Sequence, residues 1–451
     1  MQTKNIVATS VASDKLVRVM GLWTLALYGV GDMLGAGIYG LVGKAAGQLG
    51  NAVWVGFLAS MVAALCAGLS YAEIGSRFPR AAGSAYAVHR AFGKPFISYV
   101  IGLMTMASGL ASMAAGSRVV AGYLQAALGD GMPLEFYIVC FIGLLTFINF
   151  WGMRESIWVN VVCTVVEVTG LCIVLAVGMK YWGSVDYLMV PPDPVTGAEG
   201  SLGAMMILQG AVLTFYSFIG FEDMINVTEE VKDPARNFPR AMIIALATAT
   251  VLYIAISITA VSVMPFAELA ASKQPLVDVV IRAAPWFPPV VFSGIAIFAV
   301  TNTALLNYIM GSRLLYGMAH HGLLPSFLGK VHKTRHTPHI AIFMLMVIVL
   351  GLALSGDISS LAKATSVLLL TVFIFVNASL LVIKRRPAEP TGQFHVPSFV
   401  PVLGIVVCIA MLSNAGRAEY TIAGIMLAVI VGLFFVVRPK RFADEDLAVL
   451  D

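Results

Sequence analysis

Long hydrophobic stretches alternate with short polar connections along the whole chain. A helix needs about 20 apolar residues to cross a bilayer, and most of these stretches approach or exceed that length. The pattern therefore predicts an all-α polytopic membrane protein with twelve transmembrane helices. Their approximate bounds are 21–48, 52–75, 96–128, 134–151, 157–181, 203–228, 240–264, 287–312, 339–355, 361–383, 399–415 and 419–437.

The composition excludes a soluble enzyme. Hydrophobic residues fill 59% of the 451 positions and charged residues only 12%, whereas a soluble domain carries roughly 25% charged residues. Most of the 28 Lys and Arg residues fall in alternate connections, and cytoplasmic loops carry the excess of positive charge. We therefore expect a multi-pass protein of the cell (inner) membrane, with a cytoplasmic N-terminal segment at 1–20 and a cytoplasmic tail at 438–451.

Two of the predicted spans contain glycines that disfavour a continuous helix. The sixth span has Gly220, followed by two carboxylates, and the middle of the first span has five glycines: Gly29, Gly31, Gly35, Gly37 and Gly40. Each glycine inside a helix costs about 1 kcal/mol relative to alanine, so both spans are predicted to be broken. Broken backbone survives at membrane depth only where it is buried or lines a cavity. Close helix packing through small residues is the alternative explanation.

The spacing of the two breaks predicts an internal repeat. Spans one and six are five apart, as in transporters built from two five-helix units of opposite topology with a substrate site between them. On this basis the transport core covers 21–383, with repeats at about 21–181 and 203–383. Helices 11 and 12 follow at 384–437.

Four segments carry a resemblance to a known family. They are GVGDMLGAGIYGLVG in span one, SYAEIGSRFPRAAGSAYAVHRAFG after span two, FYSFIGFEDMINVTEEVKDPARNFPRAM across span six and GSRLLYGMAHHGLLP after span eight. They resemble the amino acid permeases of the amino acid-polyamine-organocation (APC) superfamily, and within it the bacterial relatives of the cationic amino acid transporters. The resemblance implies a LeuT-type 5+5 inverted repeat with broken helices 1 and 6 that transports amino acids by alternating access.

The resemblance also implies a substrate site at the two breaks. Backbone N–H groups at a helix N-terminus favour an anion, and those that would hold the substrate carboxylate belong to Gly35, Ala36, Gly37 and Ile38. The carbonyl groups that would receive the substrate ammonium belong to Met33, Tyr216, Ser217 and Ile219. Phe218 and Phe221 would lie beside the break and close over the substrate, although packing in an apolar span is the alternative. Asn307 matches a substrate-pocket position in some relatives.

Glu167 stands near the middle of span five, where many family members carry a lysine that is tied to proton coupling or sodium independence. A charge at that depth costs at least about 2.5 kcal/mol, and burial favours the neutral carboxyl group. Thr303 matches the residue that would face Glu167, and Gly35 would supply a nearby carbonyl. Three roles stay open for Glu167: proton exchange during transport, a structural hydrogen bond to Thr303, and cation binding, sodium included.

Substrate class and energy source are also predicted from the residues present. The leading hypothesis is a proton-coupled, sodium-independent secondary amino acid transporter. The acids Asp32, Glu222 and Asp223 around the breaks keep a cationic amino acid or polyamine exchanger as the alternative. The chain has no GxxxxGK[ST] nucleotide loop, HExxH pattern or CxxC pair, so we expect no enzyme activity, cofactor, metal or nucleic acid partner. The expected partners are an amino acid, protons and the lipid bilayer.

Overall fold

The structure of the protein is a computed structural model that describes residues 17–80, 83–128, 131–192, 200–272, 274–354, 359–387, 389–415 and 417–437. The predicted cytoplasmic tail at 438–451 and most of the predicted N-terminal segment at 1–20 lie outside the described residues.

The described chain is built from α-helices joined by short connections. A single isolated parallel bridge, between Met20 and Val231, is the β pairing found in it. The helices are α1 (Leu22–Leu34), α2 (Ala36–Leu49), α3 (Val53–Arg77), α4 (Gly83–Phe92), α5 (Pro95–Leu128), α6 (Leu134–Trp151), α7 (Met153–Gly178), α8 (Ala204–Phe215), α9 (Pro234–Val263), α10 (Phe266–Ala271), α11 (Pro275–Ala283), α12 (Pro289–His320), α13 (His339–Leu354), α14 (Ser359–Lys384), α15 (Phe399–Leu412) and α16 (Arg417–Val437).

Eight helical stretches of the described chain are long and apolar enough to cross a membrane. Three further apolar helices are shorter: His339–Leu354, Phe399–Leu412 and Ala423–Val437. The prediction of an all-α polytopic membrane protein is therefore confirmed. The count of twelve spans and the inverted repeat stay predictions, since a helix such as α15, with 14 residues, is short for a full crossing.

Both glycine-rich spans are interrupted. Gly35 separates α1 from α2. Helix α8 ends at Phe215, and the chain continues through a 3₁₀ turn at Tyr216–Phe218 into a ten-residue 3₁₀ segment at Phe221–Glu230. Runs of 3₁₀ helix longer than three or four residues are uncommon, so this segment departs from ordinary helix geometry.

The two interrupted spans pack against each other and against three continuous helices. Helix α1 contacts α7, α9 and α12, and the 221–230 segment contacts α1, α9 and α12. The backbone N–H groups of Val19 and Met20 both donate to the carbonyl of Glu230 at 2.9 Å, and the N–H of Lys232 donates to Met20 at 2.8 Å. The start of α1 is therefore fastened to the end of the 221–230 segment.

Candidate functional site

The first break owes its close packing to glycine. Gly35 has φ −51° and ψ −134°, which turns the chain between α1 and α2. A Cβ atom at Gly35 would overlap the hydroxyl group of Thr303, and a Cβ at Gly37 would lie 2.6 Å from the Cα of Ser217. Glycine thus lets the start of α2 lie directly against α12 and the second break.

The second break turns at Gly220, whose φ of +131° is a conformation that side chains other than glycine rarely adopt. The preceding residue, Ile219, is extended, with φ −62° and ψ 132°. A Cβ at Gly220 would lie 2.8 Å from the carbonyl carbon of Asp32 and 3.0 Å from its carboxyl carbon. The two breaks therefore contact each other through backbone.

Tyr253 of α9 joins the two breaks, and the sequence analysis did not identify it. Its hydroxyl group lies within hydrogen-bonding distance of the carbonyl of Met33 in one break and, at 2.5 Å, of the carbonyl of Ser217 in the other. Its ring packs edge-on against Phe218, with 5.0 Å between ring centroids, and lies tilted by 37° against Phe57, with 5.4 Å between ring centroids. Each carbonyl oxygen has two lone pairs, so both retain capacity for a second donor.

A cavity of about 20 Å³ lies where the two breaks meet. Space for one water centre takes roughly 10–15 Å³, so the cavity holds about one water and an amino acid enters only if it enlarges. Its lining comprises Asp32, Met33, Gly37, Ser112, Tyr216, Ile219, Gly220, Thr303 and Asn307. The side-chain amide of Asn307 donates to the carbonyl of Thr303 at 2.9 Å.

Several of the predicted substrate residues lie at this cavity, and others lie beside it. Those in the lining are Met33, Gly37, Tyr216, Ile219 and Asn307, and the predicted coupling residue Thr303 lines it too. Those outside the lining are Gly35, Ile38, Ser217 and Phe218, and the side chain of Ala36 lies outside the described part of the structure. The predicted gating residue Phe221 is also outside, fully buried between Tyr71 and Phe373, at 6.1 Å and 5.2 Å between ring centroids.

Glu167 is fully buried in α7. Its Oε2 atom accepts a 3.5 Å hydrogen bond from Asn302, and its Oε1 atom has no partner among the described residues. The hydroxyl of Thr303, which was expected to face Glu167, instead donates to the carbonyl of Ala299 at 3.4 Å. Consecutive residues of a helix point about 100° apart, so the neighbour Asn302 faces α7 while Thr303 faces the cavity.

Asn302 belongs to a buried polar network between α7 and α12. Its side-chain amide donates to the hydroxyl of Thr164 at 2.9 Å, and the side-chain amide of Asn160 donates to the side-chain oxygen of Asn302 at 2.9 Å. A Cβ at Gly31 would overlap this network. The network therefore packs directly against Gly31 of α1, one turn before the first break.

Three carboxyl groups are buried around the breaks: those of Asp32, Glu222 and Asp223. Glu222 accepts a 2.9 Å hydrogen bond from the N–H of Gly220. Neither carboxyl oxygen of Asp32 has a hydrogen-bond partner among the described residues.

Comparison with known proteins decides the family. Residues 20–438 match the amino acid permease family. The chain belongs to this family. The permease is therefore a membrane transporter of the APC superfamily and not an enzyme, which confirms the resemblance drawn from its four motifs.

The permease is similar to transporters with different substrates in their names. It is 27% identical to the branched-chain amino acid permease BcaP of Bacillus subtilis over 95% of this chain and 94% of the relative. It is 26% identical to the methylthioribose transporter of the same organism over 95% of each chain. It is 29% identical to the mouse cationic amino acid transporter 4 over 84% of this chain and 61% of the relative.

Buried ion pairs connect the helix ends of the permease. Arg313 of α12 is fully buried, 3.3 Å from Glu230, and donates to the side-chain oxygen of Asn149 at 2.7 Å. Glu73 of α3 is fully buried and pairs with Arg77 at 2.5 Å, and with Lys384 of α14 at 2.8 Å. A charge left unpaired at such depth is strongly destabilising, so these pairs fix how the helix ends meet.

Proposed function

We propose that the permease transports α-amino acids by alternating access and binds the common backbone of its substrates at the two helix breaks. The observation that carries the proposal is the contact of both breaks around one cavity, whose lining includes Met33, Gly37, Ile219 and Gly220. The carboxylate and ammonium groups common to all amino acids are then recognised by backbone N–H and carbonyl groups of the permease. The side chain of the substrate occupies the rest of the cavity once the cavity has enlarged.

The two breaks offer opposite partial charges. The first N–H groups of α2, at Ala36, Gly37 and Ile38, begin a helix and have no partner within it, so they suit the substrate carboxylate. The last carbonyls of α1 and those of the Tyr216–Phe218 turn carry the negative end of the helix dipole, and they suit the ammonium group. We assign this second role to the carbonyls of Met33, Tyr216, Ser217 and Ile219.

Opening of the cavity requires movement of the aromatic groups beside it. Phe218 packs on Tyr253, and Phe221 packs on Tyr71 and Phe373. Either ring closes the site only if it rotates or moves with its backbone as the cavity enlarges. We therefore propose Phe218 and Phe221 as gating residues that act when substrate enters.

We further propose that transport is coupled to protons and independent of sodium, with Glu167 and Thr303 as candidate coupling residues. Glu167 is fully buried with one long hydrogen bond and no cation beside it in the described structure. A carboxyl group in such surroundings is favoured in its protonated form. Gly35 packs against Thr303, which links the cavity side of α12 to the first break.

Asp32 supports a second candidate function, a cationic amino acid or polyamine exchanger. Asp32 lines the cavity, and a carboxylate there would attract a second positive charge on the substrate. Similarity to a cationic amino acid transporter favours this alternative, whereas similarity to a branched-chain amino acid permease favours a neutral substrate.

Transport by purified protein in liposomes tests these proposals. Vesicles preloaded with unlabelled amino acid should take up labelled leucine or isoleucine by exchange, and an inward proton gradient should drive net uptake equally well in sodium and choline buffers. Uptake of lysine or putrescine alone would replace the leading function by the alternative. Uptake of none of these compounds would overturn both. In the Glu167→Gln variant we expect exchange to persist and stimulation by the gradient to fall.

A further inference from the structure

A second cavity lies between the start of α7 and the connection 330–338 that precedes α13. Its volume is about 220 Å³, roughly fifteen times the space that one water centre takes. Its walls also include the end of α6 and the residues just before α1. Within the described chain it shares no lining residue with the cavity at the helix breaks, so it is a separate candidate binding site.

Two arginines and a histidine bring positive charge to the second cavity. They are Arg154 in the first turn of α7, and Arg335 and His336 in the connection 330–338. Neither arginine forms an ion pair with a described residue. A guanidinium group that has no acidic partner suits a phosphate, because its N–H groups match the phosphate oxygens two at a time.

Two acids in the lining leave this positive charge in place. Glu230 is already paired with Arg313, at 3.3 Å. Glu155 folds back over the start of α7, where a Cβ atom on Gly152 would lie 2.4 Å from its carboxylate. The positive end of the helix dipole stabilises a carboxylate at that place. The two arginines of the cavity therefore remain available to an anion.

Contacts with the end of α6 hold the connection 330–338 in place. The guanidinium group of Arg335 lies 4.2 Å from the ring centre of Trp151, and the hydroxyl of Thr337 donates to the carbonyl of Phe150 at 3.0 Å. His336 has φ +53°, which is uncommon for a residue other than glycine. Backbone strain of this kind clusters at ligand sites, and the stacked arginine is already positioned at the cavity.

An exposed apolar face of α6 leads to the second cavity. Leu144, Phe147 and Trp151 are 54%, 53% and 39% exposed, and their spacing of three and four residues puts them on one side of the helix. Helix α6 is long and apolar enough to cross a membrane, so this side faces lipid chains. Trp151 also lines the cavity, and tryptophan is enriched where a membrane meets water. The apolar face and the basic cavity therefore meet at Trp151.

We propose that the second cavity binds the phosphate headgroup of an anionic phospholipid, whose acyl chains lie along the exposed face of α6. Basic pockets between transmembrane helices bind such headgroups. A zwitterionic headgroup would bring its own cation to Arg154 and Arg335, so the charge of the cavity favours an anionic lipid. A small soluble phosphate would leave the adjoining apolar face unused, so the apolar face favours a lipid. The inference goes beyond the proposed transport function and does not depend on it.

Lipid binding to the purified protein in detergent, measured by native mass spectrometry, tests the headgroup contact. The ligands are phosphatidylglycerol, phosphatidylcholine with the same acyl chains, and glycerol 3-phosphate. Arg154→Gln and Arg335→Gln are compared with Arg236→Gln, which removes an exposed arginine of α9 outside the cavity lining. We expect each cavity variant to bind phosphatidylglycerol about fivefold more weakly, the loss expected for one basic side chain at an anionic surface. The control should bind it as the unaltered protein does.

Fluorescence quenching in vesicles tests where the acyl chains lie. Phosphatidylglycerol with brominated chains should quench the tryptophan fluorescence of the protein more than brominated phosphatidylcholine does. Trp151→Phe should abolish this excess quenching, because Trp151 lies where the apolar face meets the cavity. Trp158→Phe removes a tryptophan that is 63% exposed on α7 and outside the cavity lining, and this control should retain the excess.

Three results would overturn the inference. The first is phosphatidylglycerol binding that is equal in both cavity variants and in Arg236→Gln. The second is equal affinity of the unaltered protein for phosphatidylglycerol and phosphatidylcholine. The third is glycerol 3-phosphate binding as tight as that of phosphatidylglycerol, which would assign the cavity to a soluble phosphate compound. None of these measurements requires transport, so they decide the lipid site even if the proposed function fails.

Discussion

Replacement of Tyr253 by phenylalanine tests whether its hydroxyl group holds the two helix breaks together. The variant keeps the ring and its packing against Phe57 and Phe218. It removes the donor shared by the carbonyls of Met33 and Ser217, both in buried residues. A buried polar group left unsatisfied costs about 1–3 kcal/mol, so the free energy of unfolding should fall by that amount.

Tyr420→Phe is a matched control. Its hydroxyl also donates to a backbone carbonyl, that of Leu412, but the residue is 43% exposed. Substitutions at such surface positions usually change stability by less than about 0.5 kcal/mol. The assay is reversible denaturation of the purified protein in mixed micelles, followed by tryptophan fluorescence, with both variants titrated beside the unaltered protein.

Equal stability of the two variants would refute this reasoning about Tyr253. It would mean that the Met33 and Ser217 carbonyls find other donors once the hydroxyl is gone, and that the breaks are held by packing alone. A loss confined to Tyr253→Phe would show that one hydroxyl group couples two segments of distant sequence.

Three further substitutions test other contacts of the site. Gly220→Ala places a Cβ at φ +131° and against backbone, so we expect little monodisperse protein in size-exclusion chromatography, whereas Gly143→Ala, with open space around it, should behave normally. Gly35→Ala should reduce amino acid exchange because its Cβ overlaps the Thr303 hydroxyl, and adding Thr303→Ala should restore part of it. Arg313→Met leaves a buried glutamate unpaired, which should cost about 3–5 kcal/mol in the denaturation assay.

Each of these expectations has a result that contradicts it. A normal yield of Gly220→Ala would show that the second break adopts another backbone conformation. Exchange that stays equally low after Thr303→Ala would place the obstruction of Gly35→Ala elsewhere. Unchanged stability of Arg313→Met would mean that Glu230 accepts a proton or other donors without loss.

The interruptions were predictable from the sequence because they have a local cause. Gly35, Gly37 and Gly220 lack the Cβ atoms that would overlap a neighbouring segment. The need for close packing at these positions is therefore visible in the sequence as glycine. The hydrophobic pattern likewise predicts the helices, since burial of apolar residues in lipid sets their length.

Other features of the site depend on contacts between distant residues, which one sequence does not display. Tyr253 is one aromatic residue in an apolar helix, and its role follows only from two carbonyls that lie 220 and 36 residues away. Arg313 follows the predicted span 287–312, yet α12 continues to His320 and buries it. Its partner Glu230 lies 83 residues away, so the spacing of charges along the chain gave no sign of the pair.

The choice between Asn302 and Thr303 shows the limit of transfer from a resemblance. The two residues are adjacent, and a rotation of about 100° decides which faces Glu167 and which faces the cavity. The resemblance assigned Thr303 to Glu167, whereas the structure gives that contact to Asn302. The orientation of a helix about its own axis is set by all its neighbours together.

The ten-residue 3₁₀ segment at Phe221–Glu230 would become shorter if it rewound into an α-helix. At about 2.0 Å per residue it spans about 20 Å, whereas the same residues as an α-helix would span about 15 Å. Rewinding would also turn Asp223 by about 140° relative to Glu230, since the twist per residue changes from about 120° to about 100°. With Glu230 fixed to the start of α1, a switch of helix type would move Asp223 and the second break without breaking the anchor at the other end.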